Sequence, residues 1–176
     1  MKIIFLDIDG PMIPYRMRYD RKNHEIPKDL VDIDEKIKNW VGYWKFDDIS
    51  VSIINSICTH FDDVQVVISS SWRELFDYTF FEKLFELNGL KVEIHSNWMT
   101  PLFGSGNPFR KSRGDHIRLW LDENNVDENF VIIDDPESGF GVDHFPSLRD
   151  NVVFCNPEYG LGTPEFDKVL EILSDK

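Results

Sequence analysis

Apolar residues fall along this chain in two alternating patterns. Short continuous runs stand at Ile3 to Leu6, Val64 to Ile68, Leu90 to His95, Phe130 to Ile133 and Asn151 to Cys155, the lengths expected of strands buried on both faces. Between them the spacing switches to that of helices. Val51, Ile54, Cys58 and Phe61 form one stripe, with Ser50 as its predicted cap. Ser71 and Glu74 have capping-box spacing, which predicts a helix from Ser71 through Phe76, Phe80, Phe81, Leu84 and Phe85 to a stop at Asn88-Gly89. Ser112 opens a third helix with Ile117, Trp120 and Leu121 on one side, ending near Asn124-Asn125. Thr163-Pro164 opens a fourth with Phe166, Val169, Leu170 and Leu173 inside. Residues 11 to about 27 read as irregular and 28–40 as polar and weakly helical. Strands alternating with helices imply right-handed βαβ units, hence an α/β fold with a mostly parallel sheet of about five strands. No repeat, low-complexity tract or linker divides the chain, so one domain over 1–176 is expected.

Three of the predicted strands end in polar clusters that core packing does not require: Asp7-Ile8-Asp9-Gly10, Ser69-Ser70 and Asp134-Asp135. A parallel sheet lines up the C-terminal ends of its strands along one edge, where open α/β sheets bind ligands. Residues about sixty positions apart can therefore converge there. Lys111 or Arg113, at the start of a helix, adds a positive charge to the set. Carboxylates held together repel unless a cation is shared, and for hard oxygen donors the natural cation is Mg²⁺.

Composition narrows the class. The 176 residues are 41% hydrophobic and 14% aromatic, which suits a globular core. With 32 acidic against 19 basic residues the formal charge is −13, which opposes loose binding to nucleic acid or anionic membrane. The basic residues are nevertheless clustered: the eleven positions 16–22 and 110–113 hold seven of them, Arg16, Arg18, Arg21, Lys22, Arg110, Lys111 and Arg113. An even spread would place about one there. Two distant cysteines, Cys58 and Cys155, make neither a disulfide framework nor a metal pair. The N-terminal run is too short for a signal peptide and no stretch reaches membrane-span length, so a cytoplasmic protein without a membrane partner is expected.

Several rivals fail on spacing. A calcium loop starting at Asp7 would need its glycine two positions later than Gly10 and a Glu where Arg18 stands. A receiver-type phosphoacceptor would carry its adjacent acidic pair on the first strand, whereas Asp134-Asp135 comes late. Gly104-Ser105-Gly106 lacks the further glycine of a dinucleotide loop, since Phe109 and Arg110 follow.

In order and strand context, Phe5-Leu6-Asp7-Ile8-Asp9-Gly10, Val66-Val67-Ile68-Ser69, the basic stretch Arg110 to Arg113, and Val131-Ile132-Ile133-Asp134-Asp135 resemble the four motifs of the haloacid dehalogenase (HAD) superfamily. Within it, Ser70-Ser71-Trp72-Arg73, Arg113 to Leu121 and Gly160-Leu161-Gly162-Thr163 are similar to small phosphatase domains of RNA-repair proteins. The resemblance implies a three-layer Rossmann-like fold with a small cap inserted after the first strand, at about 11–48. It implies a Mg²⁺-dependent phosphatase in which Asp7 is the nucleophile and Asp9 the general acid and base. The metal ligands would be Asp7, Asp9 through its carbonyl, and Asp134, with Asp135 as a further ligand or partner. Ser69 or Ser70 would bind phosphate, and Lys111 or Arg113 would neutralise developing charge. Pro11 departs from the pattern, in which a residue with an amide hydrogen follows the glycine.

The substrate reading is broader. Arg73 is taken as a substrate ligand, and Arg16 and Arg18, interleaved with Tyr15 and Tyr19, fit phosphates and a stacked base. They favour a nucleotide or nucleic-acid end. Phosphoproteins, small phosphorylated metabolites and a non-catalytic regulatory role are the alternatives. Trp72 and Trp120 are assigned to the core.

Overall fold

A computed structural model describes residues 1–20, 24–25, 44–102, 112–127, 129–136 and 146–174. Five strands, β1 (Lys2–Leu6), β2 (Val64–Ile68), β3 (Glu93–Met99), β4 (Phe130–Asp134) and β5 (Val152–Phe154), form one sheet in the order β3-β2-β1-β4-β5. Every pairing is parallel. The described helices are α1 (Asp48–His60), α2 (Tyr78–Leu87), α3 (Arg113–Asn124) and α4 (Thr163–Ser174). None is long and apolar enough to cross a membrane.

The central strand shows why its sequence is continuously apolar. Ile3, Ile4, Phe5 and Leu6 are all fully buried, because neighbours lie on both sides and helices on both faces. Ile4 and Leu6 point with Val66, Ile68, Val131 and Ile133 into a core shared with α1, α2 and α4. Ile3 and Phe5 point the opposite way, with Val67 and Ile132, onto Ile117, Trp120 and Leu121 of α3. The result is the expected three-layer α/β arrangement.

Local departures from the predicted elements have identifiable causes. The first helix is capped by Asp47, whose carboxylate accepts from the Ser50 amide at 3.1 Å. Ser50 lies inside the helix, and its hydroxyl accepts from the Leu161 amide. The helix predicted from Ser71 is two elements: a 3-10 turn at Ser71–Glu74 capped by Ser70, then α2 capped by Asp77. The third strand begins at Glu93 rather than Leu90, which is buried in the helix-side core. β3 is an edge strand with mostly polar or half-buried positions, so an apolar run marks it poorly. Ser112 caps α3 and the helix ends at Asn124, both as expected; the cap is a reciprocal box with Asp115, and Asn125 closes the helix in the left-handed conformation.

The segment after β1 is anchored at both described ends. Met12 and Ile13 amides both donate to the Ile8 carbonyl, closing a turn in which Pro11 needs no amide hydrogen. Met12, Ile13, Trp44 and Phe46 are buried in the core. Asp47 donates its amide to the Met12 carbonyl, which joins the two ends. The 3-10 turn Tyr15–Tyr19 lies on the 156–160 turn, with the Tyr15 amide donating to Pro157 and Arg16 to Glu158. The weak helix expected at 28–40 falls outside the described residues, as do Arg21, Lys22, Arg110 and Lys111.

Candidate active site

The strand order reverses direction between β1 and β4, and a crevice opens at such a switch point beyond the C-terminal strand ends. Asp7 follows β1, Asp134 ends β4, and Ser69 follows β2, so all three sit on that edge. Backbone bonds fix their register. The Asp7 amide donates to Ile133 and the Ser69 amide to Leu6, each at 3.0 Å, and the Cys155 amide donates to Asp134 at 2.9 Å. The three side chains are almost wholly buried.

Arg113 ties two of them together. It is the first residue of α3, and its guanidinium reaches Asp7 Oδ1 at 2.8 Å through Nη1 and Asp134 Oδ2 at 3.3 Å through Nε. Burial alone would favour the neutral guanidine, but the charges of Asp7 and Asp134, with Asp135 beyond, outweigh it and hold Arg113 protonated. Asp7 Oδ1 also accepts from the Ile8 amide at 2.8 Å, so one oxygen of the carboxylate is fixed from two sides.

Asp9 stands beside this pair, partly exposed. Burial and the neighbouring negative charge of Asp7 raise its pKa above the ordinary carboxylate value. A hydrogen bond of 2.8 Å from Trp72 Nε1 to Asp9 Oδ2 and the more distant charge of Arg18 oppose that rise. Gly10 follows with φ +88°, and a Cβ built on it would lie 2.4 Å from Asp135 Oδ2. A glycine there lets the backbone turn and lets the Asp135 carboxylate come against it. The Asp135 amide in turn donates to Asp134 Oδ1 at 2.8 Å.

The two serines have different surroundings. Ser70 Oγ accepts from the Trp72 amide at 3.4 Å, capping the short turn. Ser69 Oγ is buried with no hydrogen-bond partner among the described residues. A buried hydroxyl left this way costs about 1–3 kcal/mol unless a ligand supplies its partner.

Arg73 is placed behind this loop. Its guanidinium donates to the carbonyls of Ser69 at 2.9 Å, Ser70 at 2.6 Å and Thr100 at 3.1 Å, and Nη2 meets His116 Nδ1 at 2.7 Å. It is 5% exposed, and burial and the charge of Arg113 lower its pKa to about 10. The arginine read from the sequence as a substrate ligand thus holds the serine loop to β3 and α3. Arg16 is also committed: Nη2 pairs with Asp47 Oδ1 at 2.7 Å and donates to the Tyr159 carbonyl at 3.2 Å. Arg18 lies over the Tyr15 ring, 4.0 Å from its centroid, and its charge is felt at Asp9. Of the predicted residues, Asp7, Asp9, Ser69, Arg113, Asp134 and Asp135 are brought to the strand edge, with Ser70 adjoining. Lys111 lies outside the described residues.

The sequence assigns Trp72 to the core and gives no site role to His116, Thr100 or Asp47. Their partners lie between 27 and 63 positions away, and only the repeated hydroxyls before Trp72-Arg73 hinted that this turn does more than start a helix.

The donor set suits a small hard cation. One guanidinium contacts both Asp7 and Asp134, and Asp9 and Asp135 add negative charge next to them, so the donors offered are hard carboxylate oxygens of the kind Mg²⁺ takes. Among the described residues no three His, Cys, Asp or Glu side chains form a ready cage, so main-chain carbonyl and water oxygens would complete the shell.

A three-layer parallel sheet with paired carboxylates after β1, a serine after β2 and an acidic pair closing β4 defines a HAD-type domain. The chain belongs to the family described as the HAD domain in Swiss Army Knife RNA repair proteins, whose model matches residues 3–166. No curated protein and no solved structure matches it significantly. HAD domains generally carry phosphatase-type chemistry and generally use Mg²⁺.

Proposed function

We propose that this protein is a Mg²⁺-dependent phosphomonoesterase that works through an aspartyl-phosphate and acts on a phosphorylated nucleotide or nucleic-acid end. The observation that carries the reading is the convergence of Asp7, Asp134 and Arg113 beside Asp9 at the switch point of the sheet. Asp7 attacks phosphorus through one carboxylate oxygen, and Asp9 donates a proton to the departing ester oxygen. Asp9 then takes a proton from the water that opens the aspartyl-phosphate. Its raised pKa suits a group that must carry a proton near neutral pH. Ser69 supplies its unspent hydroxyl to a phosphate oxygen, and Arg113 shifts part of its hydrogen bonding onto the charge that develops there. Asp7, Asp134, Asp135 and the Asp9 carbonyl would hold Mg²⁺, which when bound draws the phosphate to the nucleophile and offsets their mutual repulsion.

The nucleic-acid preference rests on the turn Tyr15–Tyr19. Arg18 stacks on Tyr15, its charge is felt at Asp9, and Tyr19 on the same turn is 83% exposed. Exposed rings next to a guanidinium stack bases without reading their sequence, at about 1–3 kcal/mol per base. The RNA-repair context of the family points the same way.

The test is hydrolysis of a generic aryl phosphate with Mg²⁺ and with a chelator, comparing the native chain with Asp7→Asn. Metal-dependent turnover that falls at least about 10³-fold in the variant is expected. Turnover without metal, or equal turnover by the variant, contradicts the mechanism. The same assay on 3′- and 5′-phosphorylated oligonucleotides, phosphopeptides and sugar phosphates decides the substrate. A preference for phosphopeptides or sugar phosphates would remove the nucleic-acid reading alone.

A further inference from the structure

Trp72 has the burial of a core residue, at 2% exposure, and the company of one. Its ring packs edge-on against Trp44 at 6.1 Å and tilted against Phe76 at 5.9 Å. An indole has one polar atom, a donor, and a buried indole needs an acceptor for it. Many main-chain carbonyls would serve. The acceptor here is Asp9 Oδ2, 63 residues away in sequence and at 2.8 Å.

We propose that Trp72 is a positioning residue for Asp9, its indole N–H pinning Oδ2 so that Oδ1 is the oxygen that exchanges the proton with the phosphoester. The inference rests on the acid/base reading of Asp9 given above. A donor-only group at Oδ2 cannot receive a proton, and a proton placed on Oδ2 would confront the indole N–H. The proton is therefore directed to Oδ1. The hydrogen bond also stops the carboxyl from rotating about its last torsion, which would otherwise exchange the two oxygens. The indole is held by the aromatic cluster, and its main chain by the Ser70 hydroxyl, so the anchor is more rigid than the group it orients.

The proton balance is complete without any other group. As an Asp7 oxygen bonds to phosphorus, the bond from phosphorus to the ester oxygen breaks, and that oxygen leaves with its electron pair and takes the proton from Asp9 Oδ1. The products are an alcohol and the aspartyl-phosphate. In the second half, water bonds to phosphorus and gives its proton to Asp9 Oδ1, while the Asp7 carboxylate departs and inorganic phosphate is released.

The test is Trp72→Phe, which keeps a ring in the cluster and removes the donor, assayed on two leaving groups. Nitrophenyl phosphate departs as a stable phenolate and needs little protonation, whereas an alkyl phosphomonoester such as a nucleoside phosphate departs as an alkoxide and needs a full proton. Because hydrolysis of the aspartyl-phosphate is common to both substrates, the comparison is made in kcat/KM, which reports the half-reaction that expels the ester oxygen: Trp72→Phe is expected to lower kcat/KM on the alkyl ester about 30-fold, with that on nitrophenyl phosphate within about threefold. Equal losses on both substrates, or none on either, overturn the positioning role. Asp9→Asn distinguishes the two layers: it must show the same leaving-group selectivity more strongly. If it does not, the acid/base reading of Asp9 itself fails. A readout free of turnover is the indole Nε1–H resonance of Trp72 in protein labelled with ¹⁵N-tryptophan. Asp9→Ala is expected to move that resonance to the position of an indole without a carboxylate acceptor. An unmoved resonance overturns the proposal, and this measurement decides the matter if Trp72→Phe does not fold.

Discussion

Gly10 is the point where backbone geometry and charge meet. Its φ of +88° is open to glycine and strained for any other residue, and a methyl group there would stand 2.4 Å from Asp135 Oδ2. Gly10→Ala must therefore displace the Asp135 carboxylate, the turn, or both. The expected loss is about 1–3 kcal/mol of stability, with a fall in turnover of about 10²-fold from misplacement of the acidic cluster. Thermal melting beside kcat separates the two effects, and a folded Gly10→Ala protein with near-native turnover would show that the close approach is not needed. This residue was legible in the sequence, as were Asp7 and Asp9, because an apolar strand that stops in D-x-D-G has no packing reason to do so. Trp72 was not, because an indole among phenylalanines looks the same from sequence whether its N–H meets a carbonyl or a carboxylate. Ser50 misled as a cap because Asp47, three residues earlier, is an equally good one.

At the scale of elements, the turn between β2 and α2 departs most from its predicted form. Ser71 and Glu74 have capping-box spacing, but Arg73 reaches back to the Ser69 and Ser70 carbonyls and across to Thr100 and His116. One short 3-10 turn ends there, and the chain starts again at Asp77. Asp77, whose carboxylate accepts from the Phe80 amide, is the local sign of that break, whereas the bonds of Arg73 to Thr100, just after β3, and to His116 of α3 leave no local trace. The planar fork of arginine serves several acceptors at once, and lysine does not reproduce it. Arg73→Lys is expected to cost about 2–4 kcal/mol in urea denaturation, from buried carbonyls left without donors. Arg118→Lys, in an exposed pair with Asp122 on the outer side of α3, is the control and should change stability by less than about 0.5 kcal/mol. Comparable small losses from both would mean that the serine loop does not depend on the Arg73 clasp. α3, by contrast, was read correctly from end to end because its cap, its apolar face and its left-handed stop are all local features.

For the molecule as a whole, the sheet order was inferred only as far as parallel βαβ units allow. The convergence of Asp7, Ser69 and Asp134 followed from that alone, while the bridging of two carboxylates by Arg113 needed the helix placed in space. The same convergence concentrates negative charge: four carboxylates share one edge, in a chain whose formal charge is −13, and Arg113 is the cation in direct contact with two of them. A ligand that relieves this repulsion in the folded state and finds no such cluster in the unfolded chain must stabilise the fold by mass action. Under the proposed function Mg²⁺ is that ligand, and at about a hundred times its dissociation constant it should add about 2.7 kcal/mol. For a domain of this size that is a rise of about 5–10 °C in Tm. Potassium chloride at matched ionic strength should not reproduce the rise, because screening acts on exposed charges more than on buried ones. Asp134→Asn removes a buried carboxylate from the edge and should abolish the Mg²⁺ increment whatever it does to the baseline Tm. If Mg²⁺ leaves the native protein unmoved, or raises the variant equally, the cation does not bind at this edge. Arg113, in contact with both Asp7 and Asp134, would then offset their repulsion without the metal.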